Sequence, residues 1–414
     1  MEKREKPKIR IIWHSVAPQI KSGYGTVTRN VCFRLKALGY HIIISAYYGL
    51  HDGGMLKLGG VPILPVKNSD KHGKESLRYY VKKFDSDLPI LHSDFWMFPW
   101  FAKLDNSCFY GPLDHTQYGK THRKTLRSFS DVIACSKFGQ LESRKYGVDA
   151  KLIPHGVDTR VFKPLNREKC REAFSFKEDK FIIGIVAANS DPEPRKGWDK
   201  MFLGIKTLLD NNPKLKKKIM VFAFTKPISN KGFDLPGLAR EIGIKKWVFF
   251  PEKMTELVGL PAEEMAQLYN CFNILLNCSR REGFGIPIIE AEACGIPVIA
   301  TNGSSMIELV KGHGWLVKER DIMYTPLNGY CAVPDQDDIA KKIEEAYFNK
   351  ELRIRYGKLS NKFAQKYDWD NLVLNGWVPF LQEKEEEIYG DEPTVLDVNI
   401  EPLLKKKRED LNRE

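Results

Sequence analysis

The sequence has no cysteine pair at metal-binding or redox spacing. Its eight cysteines are Cys32, Cys108, Cys135, Cys170, Cys271, Cys278, Cys294 and Cys331, none in a C-x-x-C and none with histidine at ligand spacing. That sets aside zinc modules and thioredoxin-type redox centres. Several lie in apolar runs, as Cys294 does in Glu-Ala-Cys-Gly-Ile-Pro, and they read as reduced core thiols of an intracellular protein. No apolar run approaches the roughly 20 residues that span a bilayer. Met1–Arg10 is charged and leads straight into a strand, so no signal-peptide core is read there. The expected location is the cytoplasm, with any membrane contact peripheral, at the inner face. Aromatic residues interleaved with basic ones, as stacking on single-stranded nucleic acid requires, are not evident, so nucleic acid is not an expected partner.

What is present suits two α/β domains. The chain has 414 residues, 43% of them apolar, and domains usually hold about 150–200 residues in chains of this length. The net charge of +12 is unevenly spread. Residues 1–165 carry 27 Lys+Arg against 14 Asp+Glu, a net of +13, and residues 166–414 carry 38 against 39, a net of −1. A basic first half suits phosphate-bearing partners or an anionic membrane surface, and equally a solvated lysine-rich face.

Short apolar runs alternate with amphipathic stretches, the pattern of a parallel sheet. Strands are expected over residues 9–13, 41–46, 89–92, 107–110 and 132–134, with a glycine loop over 21–25 and helices over 27–38, 74–84 and 120–129. Residues 153–158, Ile-Pro-His-Gly-Val-Asp, read as an interdomain linker. A second series follows, with strands over 181–187, 219–224, 247–250, 272–277 and 297–301 and a helix over 286–293. Helices over 337–347, 352–366 and 370–382 precede a charged tail from residue 383, which includes Lys405-Lys406-Lys407-Arg408.

The densest chemical signal is Glu282-Gly283-Phe284-Gly285-Ile286-Pro287-Ile288-Ile289-Glu290. It joins a strand to a helix. Such a loop exposes backbone N–H groups beside the positive end of the helix, and both favour a phosphate. Glycine at 283 and 285 allows close approach. Glu290 lies in an apolar helical run, where a carboxylate needs a partner. A ribose diol would supply two donors, and a neighbouring Arg or Lys would serve equally well.

The spacing of Glu282 and Glu290 and the flanking Ala293-Cys294-Gly295-Ile296-Pro297 resemble the E-x7-E motif of retaining glycosyltransferase family 4. That resemblance implies the GT-B fold: two facing Rossmann-like domains with a C-terminal helix crossing back to the first. It places Glu282 by the donor sugar, Glu290 by the ribose, and the backbone of Gly283, Phe284, Gly285 and Ile286 along the sugar. Further segments match in order. Arg195-Lys196-Gly197 corresponds to the basic loop on the diphosphate, where fixed cations stabilise a departing anion. Gly23 and Gly25, in Lys21-Ser22-Gly23-Tyr24-Gly25-Thr26, resemble the glycine loop that meets the donor phosphate. His115, in Gly111-Pro112-Leu113-Asp114-His115-Thr116, corresponds to a histidine beside the reacting sugar, or is a structural histidine bonded to Asp114. One departure stands out. Where many members place an arginine after the first strand of the second domain, this chain has Asn189, so that either Arg195 takes the role or the site holds one cation fewer.

The resemblance divides the chain into an acceptor domain (1–160), a donor domain (161–370), a returning helix (371–385) and a charged tail (386–414). It implies a hexosyl transfer, glucosyl or mannosyl, from a UDP- or GDP-linked sugar to a glycan, glycolipid or lipid phosphate acceptor. His115, Glu282 and Lys196 would be catalytic, the nucleotide sugar would be a co-substrate, and neither cofactor nor metal would be needed. Asp85-Ser86-Asp87 has the form of a metal-binding DxD, but it falls in a polar turn. The rival readings are a non-catalytic nucleotide- or nucleic-acid-binding protein on this fold, or a phosphorylase or epimerase.

Overall fold

The computed structural model describes residues 8–50, 54–252 and 259–390. The run Lys405-Lys406-Lys407-Arg408 lies outside them. Packing divides the chain into two units. The first takes in the described parts of Met1–Tyr110, Phe129–Asp131 and Val373–Glu414, and the second takes in Gly111–Ser128 and Val132–Leu372. The segment 111–160, grouped with the first domain on sequence, thus packs mostly with the second unit.

In the first unit, strands β1 (Arg10–Val16), β2 (His41–Tyr48), β3 (Leu56–Leu58), β4 (Val61–Pro65), β5 (Leu88–His92) and β6 (Cys108–Gly111) lie in the order β3-β4-β2-β1-β5-β6. All neighbours are parallel except β3 with β4. The central strand reads Arg-Ile-Ile-Trp-His-Ser-Val and is buried from its second residue onward, as a parallel strand covered on both faces requires. The expected loop over 21–25 is shorter than its composition suggests. Ser22 accepts a hydrogen bond from Gly25 N–H and caps a helix that already begins at Gly23. Serine is a strong N-cap, and here the cap outweighs the two glycines.

The chain's last described stretch, from Val373 on, also belongs to this unit. Val373–Trp377 forms a π turn, and the helix Val378–Tyr389 follows. Pro379 falls in its first turn, where a missing N–H costs nothing. Trp377 is fully buried, with ring centroids 5.3 Å from Trp13 and 4.9 Å from Tyr110. Lys384 Nζ lies 2.8 Å from Asp131 Oδ1.

From Val132 on, the second unit takes in a parallel pair, β7 (Asp131–Ala134, its first residue grouped with the first unit) and β8 (Lys151–Leu152). Its main sheet has six parallel strands: β9 (Phe181–Val186), β10 (Ile219–Phe224), β11 (Val248–Phe249), β12 (Ile274–Asn277), β13 (Val298–Thr301) and β14 (Trp315–Val317), in the order β11-β10-β9-β12-β13-β14. Order reverses around β9 and β12, and ligands bind beyond such a switch point at the carboxyl ends of the strands. A core of Ile183, Ile185, Phe202, Ile205, Leu276 and Ile339 holds the sheet to its helices. The segment expected as a linker is bound into this unit: Val157 N–H donates to Tyr367 O at 2.9 Å. After β14 comes a feature not expected from sequence, an antiparallel hairpin of β15 (Glu319–Tyr324) and β16 (Tyr330–Pro334).

Candidate functional site

Strand β12 ends at Asn277, and the chain then loops through Glu282 to the helix Ile286–Ala293. Gly285 starts that helix with φ of +108°, a conformation glycine adopts without strain. Gly283 is equally constrained, since a Cβ there would sit 2.1 Å from Pro112 Cβ. Ser305 Oγ ties the loop down from 2.9 Å of Glu282 O and 2.7 Å of Phe284 O, and Glu282 N–H donates to Ser304 Oγ at 3.0 Å. The Phe284 ring is buried against His155 and Tyr367, so only its backbone is offered at the loop surface.

A second loop, between β9 and the helix Trp198–Asn211, meets the first. Gly197 has φ of +66°, and a Cβ on it would come within 2.2 Å of Cys278 O. That close approach brings Lys196 Nζ to 2.7 Å from Glu282 Oε1 and Arg195 Nη1 to 3.7 Å from Oε2. Ser279 Oγ donates to the same Oε1 at 2.7 Å. Burial opposes charge on Glu282, yet Lys196, Arg195 and Ser279 together hold its carboxyl below the usual range, and it stands ionised. Arg195 also pairs with Asp191 at 2.8 Å, and Arg280 N–H donates to Arg195 O at 2.8 Å.

Glu290, one helical turn past the loop, has no cation within salt-bridge distance among the described residues. Its partner is Tyr269, whose hydroxyl donates to Oε2 at 2.9 Å. Desolvation pushes the Glu290 carboxyl up to about 7, with the tyrosine bond only partly offsetting it.

His115 falls elsewhere in the same unit. It is fully buried, with Nδ1 2.6 Å from Asp114 Oδ1 and Nε2 2.9 Å from Thr325 Oγ1. Both ring nitrogens are engaged within the protein. Asp114 Oδ2 in turn accepts from Arg281 Nε at 3.2 Å, and Arg281 Nη1 and Nη2 reach Glu193 at 2.5 and 3.0 Å. Burial opposes the charge on Asp114, but His115, Arg281 and Arg195 hold its carboxyl well below the usual range. Gly23 and Gly25 belong to the first unit, in the first turn of their helix.

Asn189 has a structural task. Its Nδ2 donates to Lys226 O at 3.0 Å and Phe233 O at 2.8 Å, and its Oδ1 accepts from Phe233 N–H at 2.9 Å. The side chain clamps the loop over 226–233, work a guanidinium could not do with the same donor and acceptor pair. Asp85 and Asp87 likewise serve the fold: both bind Arg10, and Asp87 Oδ2 also accepts from Tyr389. Among the described residues no cluster of three His, Cys, Asp or Glu side chains is placed to hold a metal ion. No described helix is long and apolar enough to cross a membrane. The eight cysteines are buried and none is in a disulfide.

Sequence reasoning singled out Arg195, Lys196, Glu282 and Glu290 and gave Asp114 as the partner of a structural His115, but assigned nothing to Ser279, Arg281, Glu193, Tyr269 and Thr325. Arg281 sits beside Glu282 in the chain, so adjacency was a usable signal. Thr325 carried none.

Residues 166–363 match the family described as glycosyl transferases group 1. An uncharacterized glycosyltransferase of Methanocaldococcus jannaschii is 31% identical over 397 residues, 88% of this chain and 97% of that protein. D-inositol 3-phosphate glycosyltransferases also match, at 24% over 67% of the chain for Corynebacterium jeikeium and 25% over 53% for Kribbella flavida. The matches span 65% and 48% of those two proteins, and about half or less of the others of that name. In fold, the chain resembles sucrose-phosphate synthase from Thermosynechococcus elongatus (TM-score 0.73, 18% identity, 91% of this chain and 99% of that one). It also resembles Anabaena HepE in complex with UDP-glucose (TM-score 0.69, 14% identity, 90% and 99%). The fold is GT-B, of two Rossmann-like domains, and the chain belongs to the group 1 glycosyltransferases.

Proposed function

We propose that this enzyme transfers a hexosyl group from a nucleotide diphosphate sugar to an acceptor hydroxyl with retention of configuration. The observation that carries the reading is the cluster of Arg195, Lys196 and Glu282 at the strand ends, with Glu290 one helical turn further on. In this reading Arg195 and Lys196 meet the diphosphate and stabilise the charge that grows as it leaves. Glu282 orients the sugar hydroxyls and Glu290 accepts from the ribose diol. The bond from the anomeric carbon to the phosphate oxygen breaks, the bond to the acceptor oxygen forms on the same face, and the acceptor proton passes to the leaving diphosphate. The protein contributes position and fixed charge.

UDP is the first nucleotide to try, because UDP-glucose is bound by HepE, of the same fold; GDP is the second. The acceptor class, a glycan, glycolipid or lipid phosphate, rests on the basic first half of the chain and on relatives named for inositol phosphate. The exposed lysines and Tyr79 of the helix Lys74–Lys83 suit an anionic membrane at the cytoplasmic face. Co-sedimentation with anionic vesicles tests that, and no binding at low salt removes it.

The deciding experiment is a thermal-shift screen with UDP, GDP, ADP and CDP, with Glu290→Ala beside the wild type. A ligand at 100 times its Kd stabilises by about 2.7 kcal/mol. Stabilisation of the wild type by one nucleotide, lost in the variant, is the expected result. No shift with any of them overturns the donor-site reading.

A further inference from the structure

The hairpin of β15 and β16 brings its tip onto the segment that carries His115. Thr116 and Tyr330 exchange two backbone hydrogen bonds, at 3.0 and 2.8 Å. Gly329 lies against the His115 ring, where a Cβ would come within 2.8 Å. Gly119 lies against Asn328, where a Cβ would come within 2.7 Å. Glycine on each side of the contact lets the two backbones meet this closely.

Thr325 opens the turn at the tip. Its N–H donates to Gly329 O, and its carbonyl accepts from Asn328 N–H, both at 2.9 Å. Its Oγ1 accepts from Leu327 N–H at 3.2 Å, the local turn typical of Ser and Thr. With that lone pair used, the hydroxyl proton is free to point at His115 Nε2, 2.9 Å away. On the other side of the ring, the Asp114 carboxylate can only accept. When the ring carries one proton, these partners place it on Nδ1 and leave the acceptor lone pair on Nε2. Both partners select the same tautomer.

The chain of contacts then runs on through Asp114 to Arg281, and from Arg281 to Glu193 by two bonds. Glu193 O accepts from Arg195 N–H at 2.7 Å. Thr325, His115 and Arg281 are 1%, 0% and 4% exposed, so water does not substitute for a broken link at those three.

We propose that Thr325 is a positioning residue for the nucleotide-sugar site, acting through His115, Asp114 and Arg281 on the loop that holds Arg195 and Lys196. This rests on the reading that the loop binds the diphosphate. The hairpin tip is then part of the donor machinery, and His115 is a strut within it rather than a group that touches substrate. Removing the hydroxyl leaves Nε2 buried without a partner and frees the ring to turn. Asp114 keeps Tyr118 and Arg281 as partners but loses the fixed imidazole on Oδ1, and the carboxylate that holds Arg281 is less firmly placed.

The test is calorimetric titration with UDP and GDP of the wild type, Thr325→Val, Thr325→Ser, His115→Asn and the Thr325→Val/His115→Asn double variant. The nucleotide that binds the wild type is expected to bind Thr325→Val about tenfold more weakly, the effect of stranding one buried polar atom. Thr325→Ser restores binding to within about twofold, because the hydroxyl is back. The double variant binds no more weakly than His115→Asn alone, because one relay is cut in two places. Ile322→Ala, at an exposed position on the same hairpin, binds as the wild type does. A melting curve of each variant identifies any that is unfolded, and His115→Asn breaks the relay independently of the tip. Wild-type affinity in Thr325→Val, or losses that add in the double variant, overturns the proposal while leaving the donor site intact. If neither nucleotide binds the wild type, the donor-site reading falls and this inference falls with it.

Discussion

Lys196 Nζ donates to Glu282 Oε1 across 2.7 Å, 86 residues apart in the chain. The cation assigned to the diphosphate and the carboxylate assigned to the sugar are thus one ion pair. Replacing either partner separates their tasks. Glu282→Gln is expected to lower kcat by at least about 100-fold, the scale of one lost transition-state contact, while the affinity for UDP or GDP is kept. Lys196→Met is expected to weaken nucleotide affinity and kcat together. Steady-state kinetics with calorimetry checks both, and a Glu282→Gln enzyme with normal turnover would remove the assignment.

Glu290 gives stability a pH dependence with a definite sign. Its carboxyl is raised to about 7 in the folded chain, from 4.5, chiefly by desolvation. Between those values the folded form keeps a proton that the unfolded chain has lost. Its contribution is therefore most favourable below pH 4.5 and is lost as pH rises through 7. The melting temperature of Glu290→Gln is expected to fall less than that of the wild type between pH 5 and 7.5. Parallel curves would show that the carboxyl is not desolvated.

Gly197 and Gly243 both have positive φ, +66° and +84°, but only Gly197 is crowded, by Cys278 O; a Cβ on Gly243 would meet nothing within 4 Å. Gly243→Ala is expected to cost about 1 kcal/mol, the strain of the left-handed conformation alone. Gly197→Ala must also move the backbone that seats Lys196, so it is expected to lose more stability and most nucleotide affinity. Chemical denaturation of the two variants measures the difference.

Positive charge in the proposed site comes from Arg195 and Lys196. Turnover is accordingly expected to survive EDTA unchanged. A loss restored by one divalent cation would assign part of the charge to a metal.

The sheets were legible because their strands are short, continuously apolar and spaced by amphipathic helices, as β1 and β12 show. The two loops proposed for the donor were legible because phosphate chemistry needs glycine and fixed charge at a strand end. The hairpin was not. Its first strand, Glu-Arg-Asp-Ile-Met-Tyr, is mostly exposed and carries no alternating apolar face, although Asn328-Gly329 is a recognisable turn dipeptide. His115 was found by its place after a strand, but nothing local could show that its second nitrogen meets a residue 210 positions later. Asn189 was read as a missing charge, and only the geometry of its clamp on Phe233 shows what the amide does instead.

The packing of Trp377 against Trp13 and Tyr110 carries a consequence for synthesis. The first unit cannot close its core until the final described helix has left the ribosome. The second unit, Gly111–Ser128 with Val132–Leu372, is complete before that. The half of the protein made first is therefore finished last, and its apolar Trp13 and Tyr110 must wait for Trp377 through the translation of some 260 residues, on the order of 13–50 seconds at ordinary elongation rates.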